Sequence, residues 1–190
     1  MKYIFDKVKE FNEAFDIDIK AQSKELRYDL FKEEADEYLN ALNDVDRADA
    51  IADMLYIWAG TVLKHGIEDI YISGNFDIEV EDLDDESVYS IHRDLTIYNQ
   101  DYELLYNKWE YEEALFFLLV VITYAIHKHN LQDKIEAIFD AVHESNMAKL
   151  GADGKPIVNG RDGVLYPGKP LNKVMKPDPK EKIFKILSEN

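Results

Sequence analysis

Five acidic side chains, Glu33, Glu34, Glu37, Asp49 and Asp53, lie within residues 26–56, LRYDLFKEEADEYLNALNDVDRADAIADMLY. On a helix turning about 100° per residue, Leu26, Leu30, Glu33, Glu37 and Ala41 fall on one side, with Glu34 at its edge. Asp29, Lys32, Asp36, Asn40 and Asn43 fall opposite. Acids on a solvated face are ordinary, but acids on a face that carries leucines need partners. In the helix that follows, Ala48, Ile51, Ala52, Met54, Leu55, Ile57, Trp58 and Val62 make most of the circumference apolar. One polar stripe remains: Asp49, Asp53 and Tyr56, with Gly60 beneath. Asp49 and Asp53 are four apart and therefore neighbours. A very short turn joins the two helices, so they pack antiparallel and their acidic faces can meet around one point. Carboxylates gathered in this way raise each other's pKa unless a cation sits among them. An all-oxygen donor set favours Mg²⁺ or Mn²⁺ over zinc, and magnesium so held keeps waters and binds substrate phosphates. The chemistry expected is metal-dependent hydrolysis of a phosphate ester or anhydride. The plain alternative is a pair of solvated stripes in an acidic chain, and periodicity alone does not separate the two.

The elements that must position these residues are helical. Residues 1–150 contain no proline, as a mostly helical body requires. Periodicity predicts helices over 3–15, with Ile4, Val8, Phe11 and Phe15 on one stripe, over 23–42 with Ser23 as N-cap, and over 45–65, closed by Gly66. Residues 68–86 read as an acidic loop with a short β-like stretch at 70–72. Two more helices are expected over 86–107 and 110–130, the second buried nearly all round because of ALFFLLVVITYAI. A last long helix covers 132–150. All five prolines and five of the eight glycines then fall within 151–180, which reads as an extended tail ending in a short helix over 180–187. The expected organisation is an all-α domain over 1–150, with a helical insertion at about 68–131, and a tail over 151–190.

The chain has 190 residues, 46% of them hydrophobic, enough for one domain with a real core. Its 39 acidic and 22 basic residues give a net charge of −17. That sign argues against nucleic acid and anionic membrane as partners. The absence of cysteine removes disulfides, zinc–thiolate sites and thiol catalysis. MKYIFDKVKEF lacks the apolar centre of a secretory signal. The longest apolar run, 114–126, is too short to span a bilayer, so a soluble cytoplasmic protein is expected. The five histidines, His65, His92, His127, His129 and His143, read as helix-end or surface residues rather than catalysts. Glu110, Glu112 and Glu113 suit the dipole at a helix start. Arg27 can face either the acids or solvent and is not counted among the site residues.

Glu33-Glu34-Ala35-Asp36-Glu37 matches the Glu-Glu-x-x-Glu motif of the all-α nucleoside triphosphate pyrophosphohydrolases, the MazG-like superfamily. ADAIADMLYIWAG, residues 48–60, resembles the second motif helix of the phosphoribosyl-ATP-pyrophosphohydrolase-like branch. VKEFNEAFDIDI resembles that branch's opening segment, and VHESNMAKLGADGKPI, residues 142–157, its C-terminal stretch. MazG-type enzymes carry Glu-x-x-Asp in the second helix, where this chain has Ala50 before Asp53. Asp49 is the expected substitute, with Asp46 a weaker candidate.

The resemblance implies a MazG-like helical bundle in which Glu33, Glu34, Glu37, Asp49 and Asp53 hold Mg²⁺. It implies attack of an activated water on a (deoxy)nucleoside triphosphate, releasing the monophosphate and pyrophosphate, with Glu33 or Glu34 as general base. Asn146, Lys149, Lys155 and Arg161 are the expected substrate contacts, and His143 is expected to be structural. A homodimer or homotetramer serving nucleotide-pool control, of a phage-like kind, is expected. The other readings are phosphoribosyl-ATP hydrolysis and a non-catalytic helical protein that binds nucleotide or a partner.

Overall fold

The computed structural model describes residues 1–74, 108–151, 153–157 and 178–189. Seven helices organise the described residues: α1 (Lys2–Ala14), α2 (Lys24–Asn40), α3 (Asp44–His65), α4 (Glu68–Ser73), α5 (Lys108–Lys128), α6 (Ile135–Met147) and α7 (Lys180–Ser188). The architecture is all-α, as its periodicity predicts. Local chemistry sets the boundaries. The Ser23 hydroxyl accepts from the Leu26 amide at 3.1 Å and starts α2. The Asn43 side chain does the same for Asp46 at 2.9 Å and starts α3. Gly66, with φ +67°, ends α3 in the left-handed conformation that glycine adopts without strain.

The central helix is α3. It packs against α1, α2, α4, α5, α6 and α7, and its apolar girth answers that position. Trp58 is fully buried, and its indole N–H donates to the Leu115 carbonyl of α5 at 2.8 Å. Phe5 of α1, Phe139 of α6 and Ile183 of α7 are equally buried in the same core. The connection between α2 and α3 is short enough to fold them into the expected antiparallel hairpin.

Two expectations change, and the terminal helix is found where it is expected. Part of the stretch read as a loop is α4, because Tyr71 buries itself edge-on against Trp58 at 5.1 Å and winds the chain around that anchor. The helix α5 is not buried all round. Leu115, Leu119, Val121, Ile122 and Ala125 face inward, whereas Phe117 is half exposed. Among the described residues its neighbours occupy one side only, and apolar composition cannot reveal how many sides are covered. The terminal helix α7 docks on α3 and α6 through Ile183, so the chain end closes the core. The predicted helix over 86–107 lies outside the described residues. Among the described residues no helix is long and apolar enough to cross a membrane.

Candidate active site

The α2–α3 hairpin carries all five acids. Its contact face on α2 is not the one drawn from the leucines. Arg27 and Ala35 are buried, Phe31, Glu34 and Tyr38 are half-buried, and Glu33 and Glu37 are exposed. Leu26 is 43% exposed. Residues 27, 31, 34 and 38 follow a 4-3-4 spacing, so they form one stripe. The helix is therefore rotated by about one residue from the expected facing, which brings Glu34 inward and turns Glu33 and Glu37 outward.

Arg27 causes this rotation. Its Nε donates to Thr61 Oγ1 at 3.1 Å, Nη1 donates to Gln22 Oε1 at 3.3 Å, and Nη2 donates to the Ile57 carbonyl. The guanidinium lies on Gly60, where a Cβ would stand 2.6 Å from Nη2. Burial pushes its pKa down to about 10. An arginine drawn into the helix interface and fixed by three acceptors orients α2 more strongly than its scattered leucines do. The readable signal was Gly60: a glycine inside a helix that otherwise favours apolar side chains often marks a close approach.

On α3 the polar stripe is covered. Asp49 is buried, Asp53 is half-buried and Tyr56 is 7% exposed. The solvated-stripe alternative does not describe this helix. Tyr56 stacks on Phe139 at 5.3 Å and meets the edge of Phe11 at 5.8 Å. Its hydroxyl lies 3.1 Å from His143 Nδ1, and His143 Nε2 lies 3.3 Å from a Glu10 carboxylate oxygen. His143 is buried at the meeting of α1, α3 and α6, a correction to its reading as a helix-end or surface residue. It lies on the apolar face of α6 with Phe139 and Val142, which is the signal in the sequence. Burial and the nearby Lys7 lower the His143 pKa, against the opposing pull of Glu10 and Asp140. Burial, Asp53 and Glu10 raise that of Tyr56.

The acids do not converge as drawn from the helical wheels. Among the described residues no three Asp, Glu or His side chains are grouped to ligate one ion. The outward rotation of Glu33 and Glu37 is the reason. Their residue types fit a hard cation, but their positions in this structure do not form a closed donor set. Asp46, the weaker candidate, is engaged elsewhere: Lys180 of α7 lies 2.6 Å away and Asn43 also donates to it. The charge on Lys180 is held chiefly by Asp46 and further favoured by Asp49. Sequence reasoning missed Lys180, since only the docking of α7 brings residue 180 to the start of α3.

Of the expected substrate contacts, Asn146 is buried on α6, one turn beyond His143. Lys149 is half-buried with its Nζ 5.6 Å from the centre of the Phe11 ring. Lys155 is exposed in a turn where its carbonyl accepts from Gly151 at 2.8 Å. Arg161 lies outside the described residues.

Comparison with curated proteins and with solved structures gives no match. Residues 1–72 match the model of the family described as phosphoribosyl-ATP pyrophosphohydrolase. The matched segment spans α1 to α4 almost completely and contains all five acids of the hairpin, Arg27 and Gly60. Over residues 1–72 the chain is thus similar to a family of the MazG-like all-α nucleoside triphosphate pyrophosphohydrolase superfamily.

Proposed function

We propose that the protein is a pyrophosphohydrolase that converts a (deoxy)nucleoside triphosphate to the monophosphate and pyrophosphate. The observation that carries this reading is the family match over residues 1–72, which covers the whole acidic hairpin. The covered position of Asp49 and Asp53 on α3 supports it, because acids kept from solvent on a core helix need a function or a partner.

The acidic set supplies hard oxygen donors, so Mg²⁺, with Mn²⁺ as a substitute, is the cofactor proposed; Glu33, Glu34, Glu37, Asp49 and Asp53 are the residues that would supply its ligands, although α2 as placed turns Glu33 and Glu37 outward and leaves the set open. Bound there, the metal would neutralise phosphate charge and lower the pKa of water. The chain's own residues contribute orientation and proton handling. The half-buried Glu34 is proposed to accept a proton from the attacking water. Its inward facing ranks it ahead of the exposed Glu33. Asn146, Lys149, Lys155 and Arg161 are proposed to contact substrate. A homodimer or homotetramer is proposed for the assembly, and nucleotide-pool control for the role.

A second substrate, phosphoribosyl-ATP, is favoured by the description of the matched family. One experiment tests both. The protein is incubated with Mg²⁺ and a panel of ribo- and deoxynucleoside triphosphates plus phosphoribosyl-ATP, and products are separated by anion exchange. Pyrophosphate together with a monophosphate from one or a few substrates is expected. No pyrophosphate from any of them, with Mg²⁺ or Mn²⁺, refutes the reading and leaves the non-catalytic alternative.

A further inference from the structure

We propose that the cleft between the start of α3, the α5–α6 turn and the end of α7 binds a small tetrahedral oxyanion of the phosphate class, held by Arg47, Lys134 and Asn130. This site lies beyond the hydrolase reading and does not depend on it. Asp49 and Asp53 stand about 200° and 240° around α3 from Arg47, so the acidic stripe faces away from the cleft.

The cleft has a volume of about 190 Å³, and its walls come from three separate parts of the chain. Arg47 and Asp44, three apart and so on one face of α3, form the first wall. His129 and Asn130, in the turn after α5, form the second. Asn130 holds φ at +53°, a left-handed conformation that asparagine tolerates better than most residues. His129 Nε2 lies 3.1 Å from the Tyr38 hydroxyl, which ties this turn to α2. Lys134, just before α6, and Leu187, in the last turn of α7, complete the enclosure. Leu131 lines it beside them, and such apolar walls lower the local dielectric and strengthen the field of the charges within.

Charge selects the ligand. In a chain of net charge −17, Arg47 and Lys134 share this cleft with Asp44 as the acid of its lining. The Arg47 guanidinium donates to Asp44 at 2.7 Å and to the Ala41 carbonyl at 3.1 Å. The Asp44 side chain is 85% exposed, and an ion pair so wetted holds its partner weakly. The Lys134 ammonium donates to the carbonyls of Leu187 at 3.0 Å and Glu189 at 2.7 Å. Those partners are dipoles without a full charge, and an ammonium has a third N–H to offer. A guanidinium likewise carries five N–H groups, of which two are spent here. Donors entering from three elements suit an anion with oxygens in several directions, whereas a planar carboxylate presents two. The volume is below the roughly 300–1,000 Å³ of pockets that enclose drug-sized ligands, so the fit is to a free ion rather than a nucleotide. Bound there, the ion joins the start of α3 to the end of α7.

Inorganic phosphate, titrated into the full-length protein in metal-free buffer at constant ionic strength, tests this, with chloride and acetate as control anions. The Arg47 Nε–H and Asn130 side-chain amide signals are followed by NMR. A saturable shift with a Kd of about 1 mM or tighter is expected for phosphate, together with a rise in the thermal unfolding midpoint. Arg47→Gln removes the charge and is expected to weaken binding about tenfold or more. Asn130→Gly keeps the left-handed turn, removes the amide and is expected to weaken it about threefold or more. Circular dichroism verifies the fold of each, and Asn130→Gly decides the matter if Arg47→Gln does not fold. No saturable shift through about 10 mM phosphate, an equal response to acetate, or unchanged affinity in either folded variant overturns the site.

Discussion

Gly60→Ala is expected to destabilise the protein, although alanine is the better helix former. The glycine sits inside α3 and its backbone is not among those with positive φ, so helical conformation does not require it. Intrinsic propensity then favours alanine by about 1 kcal/mol. Against this stands the Arg27 guanidinium, whose Nη2, Cζ and Nη1 would lie 2.6, 3.2 and 3.4 Å from the new Cβ. The terminal atoms of an arginine usually yield cheaply. Here they are fixed by Thr61, Gln22 and the Ile57 carbonyl, with the residue only 8% exposed. Hydrogen bonds from a charged donor contribute about 1.5–3 kcal/mol each, net of the hydration they replace. Losing one of the three, less a propensity gain of about 1 kcal/mol, leaves a net destabilisation of about 0.5–2 kcal/mol, and losing two leaves about 2–5 kcal/mol. Urea unfolding followed by circular dichroism measures it as a fall in midpoint at constant slope. The decisive comparison is the Arg27→Ala background. There the obstacle is gone, and Gly60→Ala should stabilise by about 1 kcal/mol. The same sign in both backgrounds would refute the clamp.

The other expectations address the site, the core and pH. Glu37→Gln and Asp53→Asn should each abolish Mg²⁺-dependent turnover; for the exposed Glu37, unfolding should stay within about 0.5 kcal/mol of wild type. Retained turnover in either variant removes that residue from the proposed site. Ile183→Ala should cost about 2–5 kcal/mol, because Ile183 is fully buried where α7 meets the core; a neutral result would make α7 an appendage. Trp58→Phe leaves the Leu115 carbonyl without its indole donor and should cost about 1–3 kcal/mol in the same assay, whereas an unchanged midpoint denies that bond a role. His65 titrates near 4 rather than 6.5, through burial and then the charges of Lys64 and Lys24. The unfolded chain therefore binds the proton first. Stability should be fully present above about pH 6.5 and decline as pH falls towards about 4, and His65→Gln should flatten that window. An identical pH profile in the variant contradicts the assignment.

Much of the local structure is legible in the residues. Ser23, Asn43 and Gly66 terminate helices by side-chain capping or by a left-handed φ, interactions that span three residues or fewer. The apolar girth of α3 announces a central helix, and the motifs at 33–37 and 48–60 place the acids on two adjoining helices. Helical periodicity is a short-range property, so it survives in sequence. The facing of α2 is a different quantity. Its apolar residues are spread around the helix, and the rotation was decided by Arg27 finding Thr61, Gln22 and Ile57 and a glycine to lie on. That contact turned Glu34 inward and Glu33 and Glu37 outward, and so undid the five-acid convergence that the wheel implied. The Glu10–His143–Tyr56 chain and the reach of Lys180 to Asp46 join residues more than 80 positions apart. A spacing rule has no access to such partners, because only the packing of α1, α6 and α7 on α3 brings them within hydrogen-bond range.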